Sequence, residues 1–213
     1  MKKMYFVVAL AIAFAANVSA QSYTETFDSN SLEWTERAYK NEQGNAIIEN
    51  GVMTVSSKTK VDLVALMGSG ALNTYATAFE THCYAPLDVQ KPFTITSQVT
   101  VKNGEEVGLM FNFKDFGNYY AFVMTDDYVK FLRFENNVMV GSVTQGIRWK
   151  KQLYKKIAQT WVIKSNGTTL EFVVNDEPIM KVRYMPLQYT GFGYYTVGTC
   201  QLVVDEVTFN QGL

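Results

Sequence analysis

His82 is the only histidine in the chain, so a serine or cysteine nucleophile activated by imidazole would depend on it. Cys83 follows it directly, and on a strand adjacent side chains leave opposite faces, which sets the two apart. Zinc needs several His or Cys at ligand spacing, and one His with two Cys is too few. The acidic clusters Glu105-Glu106, Asp126-Asp127 and Asp205-Glu206 are split across faces in the same way, so hydrolysis would need carboxylates distant in sequence. Nothing singles out a pair among the 20 acids, and no catalytic residue is assigned. Asp115, Asp126 and Asp127 lie in turns where oxygens could converge on calcium, although ordinary turn propensity also places aspartates there.

The aromatic content offers more. Phe, Tyr and Trp number 14, 13 and 3 and make up 14% of the chain. Core packing accounts for the phenylalanines, whereas Tyr and Trp combine a flat apolar face with a polar edge and stack on sugar rings. Tyr119, Tyr128, Trp149, Tyr194 and Tyr195 are the candidates for such a row, with Asn112 and Arg133 as hydrogen-bonding partners to hydroxyl groups. The ligand expected there is a poly- or oligosaccharide.

The elements that would position these side chains are strands. Val107 to Asn137 contains three aromatic-rich runs separated by Lys114-Asp115-Phe116-Gly117-Asn118 and Thr125-Asp126-Asp127, which predicts a β-meander. Asn50-Gly51, Asn103-Gly104 and Asn166-Gly167 are hairpin signals. They predict that Ala46–Ile48 pairs with Val52–Val55, Phe93–Val101 with Val107–Phe113, and Trp161–Lys164 with Leu170–Val174. Asn166-Gly167-Thr168 also matches a glycosylation sequon, but the turn accounts for it. Along Phe93–Val101, Phe93, Ile95, Val99 and Val101 alternate with Thr94, Thr96, Gln98 and Thr100, so one face meets water. The runs 107–113 and 128–134 carry bulky groups on both faces, which places them centrally, with the inter-sheet core on one side and a groove or covering loop on the other. Trp149 falls in the irregular stretch 146–153. No long amphipathic helix is evident.

Met1-Lys2-Lys3, the apolar run Met4–Ala16 and Val18-Ser19-Ala20 predict a cleaved secretory signal over residues 1–20. The run is shorter than the roughly 20 residues of a membrane span. With no Cys at the cleavage point a lipid anchor is not indicated, and the mature chain is expected in the periplasm or outside the cell. Removing 20 of 213 residues leaves 193, the size of one β-sandwich domain over 21–213. Loss of Lys2 and Lys3 takes the basic count from 19 to 17 against 20 acids, a balance that argues against nucleic acid. The local basic group of Arg148, Lys150, Lys151, Lys155 and Lys156 fits a protected strand edge. In an oxidising compartment Cys83 and Cys200 could form a disulfide closing a loop of more than a hundred residues, stabilising by about 4–5 kcal/mol on the chain-entropy argument. They could equally be two buried free thiols.

The motifs also carry a resemblance. Phe27 with Trp34, Ile48-Glu49-Asn50-Gly51-Val52-Met53-Thr54-Val55, Gly108-Leu109-Met110-Phe111 followed by Asn118-Tyr119-Tyr120-Ala121-Phe122, Trp161 with Asn175-Asp176-Glu177-Pro178-Ile179, and Gly191-Phe192-Gly193 with Val204-Asp205-Glu206-Val207 occur in that order. Together they resemble the concanavalin A-like lectin and glucanase superfamily, in the laminin G-like and glycoside hydrolase family 16-like branch found in secreted bacterial proteins. The resemblance implies an all-β fold, a two-sheet antiparallel jelly-roll sandwich, with a concave sheet that the candidate aromatics would border. Active family 16 enzymes carry Glu-x-Asp-x-(x)-Glu on one strand, and that string is absent. The related branch associated with 3-keto-glycoside hydrolysis shows Asn-Ser-Gly where this chain has Asn103-Gly104-Glu105-Glu106. The expected function is non-catalytic glycan binding. The alternatives are a glycoside hydrolase using separated carboxylates and a structural or adhesive module that binds protein.

Overall fold

The computed structural model describes residues 21–35, 44–58, 79–136, 138–146, 156–183 and 187–212. The predicted signal segment, Trp149 and the basic residues 148–155 lie outside the described residues. Among those described there are fourteen strands and no helix. They are β1 (Ser22–Glu25), β2 (Gly44–Glu49), β3 (Val52–Lys58), β4 (Phe79–Tyr84), β5 (Phe93–Asn103), β6 (Glu106–Asp115) and β7 (Asn118–Met124). The others are β8 (Tyr128–Glu135), β9 (Val138–Gly146), β10 (Ala158–Ser165), β11 (Thr169–Val174), β12 (Glu177–Arg183), β13 (Gly191–Val197) and β14 (Thr199–Gln211).

The strands form two antiparallel sheets, as a jelly-roll sandwich requires. One has eight strands in the order β12-β11-β10-β5-β14-β3-β2, with β1 also on β14; the other has six, β4-β13-β6-β7-β8-β9. The meander is β6 to β9, each strand paired with the next. Its turns close through short polar side chains: Asp115 Oδ1 accepts from Gly117 N–H and Asn118 Nδ2, and Thr125 Oγ1 accepts from Tyr128 N–H. The β2–β3 hairpin turns on Asn50 and Gly51, both at positive φ, the conformation that two-residue hairpin loops need. At the β10–β11 turn, Asn166 Oδ1 accepts from the backbone N–H of Thr168 and Thr169, so the asparagine there is spent on closing the turn.

One predicted hairpin is corrected. Asn103-Gly104 does not join paired strands: β5 pairs with β10 and β14, whereas β6 pairs with β7 and β13 in the other sheet. The apolar faces of β5 and β6 carry the reason. Val99 and Val101 meet Val107 and Leu109 in one inter-sheet core, so the two strands face each other across the sandwich and cannot lie edge to edge.

Phe27 and Trp34 owe their places to local polar bonds. Glu25 is buried, and its carboxylate accepts from Phe27 N–H, Leu32 N–H and Ser31 Oγ, while Asn30 clasps both the N–H and the carbonyl of Trp34. Trp34 then stacks on Tyr194 with ring centroids 5.7 Å apart. A second apolar cluster covers the outer face of the six-stranded sheet and includes Met110, Phe113, Tyr119, Leu132, Phe134 and Tyr195. Strands β6 and β7 are therefore buried on both faces, as the bulky residues on both sides require, whereas β8 is buried mainly on one face and β9, at the edge of the sheet, is exposed along nearly its whole length.

Cys83 and Cys200 do not form a disulfide; both are buried free thiols. Cys83 lies opposite Phe192 on β13, whereas Cys200 Sγ lies 3.0 Å from the carbonyl oxygen of Val197, five residues further along that strand. At about 3.3 Å per residue, this puts the thiols on the order of 17 Å apart along the strand direction, beyond disulfide reach. Burial pushes the Cys83 thiol well above its ordinary range and raises that of Cys200.

Candidate functional site

Asn112 interrupts β6 between two phenylalanines and adopts a positive φ of 51°. The register slips there: Gly191 on β13 lies opposite Phe113, but the next residue, Phe192, lies opposite Phe111, leaving Asn112 as the extra residue of a bulge. Asparagine tolerates this conformation better than most side chains. The bulge has a structural consequence: Asn112 Oδ1 accepts from the N–H groups of Gln188 and Tyr189 at 2.8 and 3.0 Å and ties down the segment before β13.

A cavity of about 420 Å³ lies beside this bulge, where β7 begins and β8 ends, lined by Asn112, Asn118, Tyr119, Tyr120, Arg133, Phe134, Glu135, Asn136, Gln188 and Tyr189. Its volume is in the range of small-molecule sites. Each wall has an assignable origin. Tyr120 and Arg133 are ladder partners, and the guanidinium lies 5.9 Å from the Tyr120 ring centroid. Arg133 Nε and Nη2 both donate to Glu135 Oε1, and this bonding raises the guanidinium pKa further above its ordinary value. Asn136, at a positive φ, donates its backbone N–H to Asn118 Oδ1 and closes the far side. Lys114 Nζ sits 5.7 Å over the Tyr189 ring. Asn118 holds Asp115, whose carboxyl is kept below the ordinary range chiefly by that hydrogen bond.

Of the residues expected from the sequence, Asn112, Tyr119 and Arg133 come together here. Tyr119 contributes wall and no free stacking face: it is 3% exposed, stacks on Phe134 at 4.7 Å, and bonds the Glu80 carboxyl from within the outer cluster. Tyr128 is exposed but lies five residues from Arg133 along β8, about 17 Å away. Tyr194 and Tyr195 cannot border an accessible groove, because both are fully buried. Tyr194 enters the inter-sheet core, where its hydroxyl bonds Ser97 Oγ, and burial drives its pKa far up. Tyr195 projects the other way into the outer cluster. Alternation explains the outcome: neighbours on β13 serve two different cores.

Sequence reasoning missed Asn118, Tyr120, Phe134, Glu135, Asn136, Gln188 and Tyr189. The available signal was the recurrence of Asn at 112, 118 and 136, each where a meander strand bulges, starts or ends; Gln188 and Tyr189 stand on an irregular segment with no period to read.

Glu80, on β4 opposite Tyr195, is the other unusual group. It is buried at 7% exposure, and burial lifts its pKa from 4.5 to about 7 against the opposing hydrogen bond from Tyr119. Glu106, on β6, is bound to Lys130 Nζ at 2.6 Å. Among the described residues no group of three or more His, Cys, Asp or Glu is arranged to hold a metal, and no helix is long and apolar enough to cross a membrane.

No protein-family model matches this chain, and no curated protein matches it in sequence. Solved structures do match in fold. An endo-β-1,3-glucanase from Pyrococcus furiosus aligns at a TM-score of 0.57 and 9% identity over 90% of this chain and 94% of its own. A structure titled for endo-acting O-glycanases of the human gut microbiota aligns at 0.56 and 9% identity over 88% of this chain and 97% of its own. The xyloglucan-locus protein GH43B of Bacteroides ovatus aligns at 0.55 and 14% identity; this chain covers 39% of its length and is itself 89% covered. At these identities the likeness is one of fold, an antiparallel β-sandwich.

Proposed function

We propose that the protein is a secreted, non-catalytic glycan-binding module whose ligand enters the cavity beside the Asn112 bulge. The observation that carries this reading is the chemistry of the lining: the Tyr189 ring stands among carboxamides and one Arg–Glu pair, with the buried Tyr120 as wall. Ring faces suit the apolar side of a pyranose, and carboxamides suit its hydroxyls because each offers both donors and an acceptor. The side chains of Asn136 and Gln188 have no hydrogen-bond partner among the described residues, and Asn112 spends only its oxygen on the chain. The solved structures with TM-scores above 0.5 include proteins named for work on glycans, which fits this reading without carrying it. Export rests on the pattern of residues 1–20.

A glycan array probed with the chain from Gln21 onward tests the proposal. Binding to at least one oligosaccharide class is expected, and Asn136→Ala or Gln188→Ala should each weaken it several-fold, the size of one hydrogen bond of about 1 kcal/mol. The bound oligosaccharide is expected to survive overnight incubation intact. Silence across plant, microbial and host panels rejects the glycan reading. Shortened products that disappear with Glu80→Gln or Glu135→Gln would make the protein a hydrolase.

A further inference from the structure

We propose that the cavity prefers uncharged saccharides over those bearing carboxylates, and that Glu135 sets the preference. The proposal rests on the glycan reading above and names the class of ligand for that same site. Arg133 and Glu135 are the charged side chains in the lining, and they are spent on each other: two guanidinium nitrogens donate to one carboxylate oxygen, Oε1. The second oxygen of Glu135 accepts no hydrogen bond among the described residues and is left as an acceptor for a hydroxyl. Around the rim, Lys114 over the Tyr189 ring is offset by Asp115 beside Asn118, so two cations stand against two anions.

The remaining polar groups are neutral: the Asn112 amide nitrogen, the carboxamides of Asn136 and Gln188, and the Tyr189 hydroxyl. A sugar hydroxyl can donate to Glu135 and accept from an amide N–H, which satisfies both without moving charge. A uronate or sialate carboxylate that approaches Arg133, the one cation in the lining, finds Glu135 already bonded to it. It would meet Glu135 as a like charge, which disfavours the wrong partner. Arg133 is thus a clamp on Tyr120 here, and an anion receptor only once Glu135 is neutralised.

Matched oligosaccharide pairs test this: neutral xylo-, gluco- and galacto-oligomers, and the same oligomers carrying one uronic acid residue, titrated by calorimetry at low salt. The wild-type protein is expected to bind the neutral member at least tenfold more tightly. Glu135→Gln should raise affinity for the acidic member about tenfold or more and narrow or invert the ratio, and Glu135→Lys should carry it further. The Glu135 side chain is 44% exposed, so both variants should keep the fold, checked by thermal melting. An acidic member bound as tightly as the neutral one by wild type, or a ratio unmoved by either variant, overturns the preference while leaving a glycan site standing. Absence of binding to every pair overturns the glycan reading and this preference with it.

Discussion

Gly193→Ala is expected to destabilise the protein by about 3 kcal/mol or more, at the upper end of what overpacking costs. A Cβ at this position would lie 1.9 Å from the Thr81 carbonyl oxygen and 2.9 Å from the His82 Cα. Both are backbone atoms of β4, so no rotamer change relieves the contact and β4 must move away from β13. Gly141→Ala, in β9, supplies the control: nothing lies within 4 Å of its Cβ, and stability should be unchanged or slightly raised. Urea denaturation of the two variants decides the matter. Equal midpoints for Gly193→Ala and wild type would mean that β4 and β13 do not approach each other as described.

Glu80→Gln should stabilise the protein at pH 8 by about 3 kcal/mol relative to its effect at pH 4, on a scale of about 1.4 kcal/mol per unit of pKa shift. The folded-state pKa of about 7 lies above the ordinary 4.5, so the folded protein retains a proton that the unfolded chain releases. Stability from this group is therefore full below about pH 4.5, declines as pH rises to about 7, and stays lost above that. Glutamine removes the titration and keeps an oxygen for the Tyr119 hydroxyl. The difference between wild type and variant isolates Glu80 from Asp88 and Asp115, whose carboxyls shift the other way. A wild-type-minus-variant stability that is flat from pH 4 to 8 would show that Glu80 is solvated.

The strand pattern was legible wherever alternation and turn chemistry acted together. The Val107–Asn137 meander, the Asn50-Gly51 hairpin and the inward set of β5 all follow from residues close in sequence. Asn103-Gly104 misled because a dipeptide specifies a local bend, whereas the choice between pairing and facing is made by which apolar surfaces meet across the core. The site was partly legible for the same reason. Asn112 and Arg133 stood out as polar residues among aromatic ones, but Tyr194 and Tyr195 are amphipathic types whose burial depends on sheet order. Gln188 and Tyr189 reach the cavity only because the bulge at Asn112 captures their N–H groups, a contact between residues 76 and 77 positions apart. No local pattern encodes that.

The cavity can be separated from the rest of the surface by two tyrosines. Once an array supplies an oligosaccharide, its affinity should fall tenfold or more in Tyr189→Ala, which removes a ring from the lining, and stay within twofold of wild type in Tyr128→Ala, on an exposed ring about 17 Å from Arg133. Loss of binding with Tyr128→Ala and none with Tyr189→Ala would contradict the cavity as the binding site.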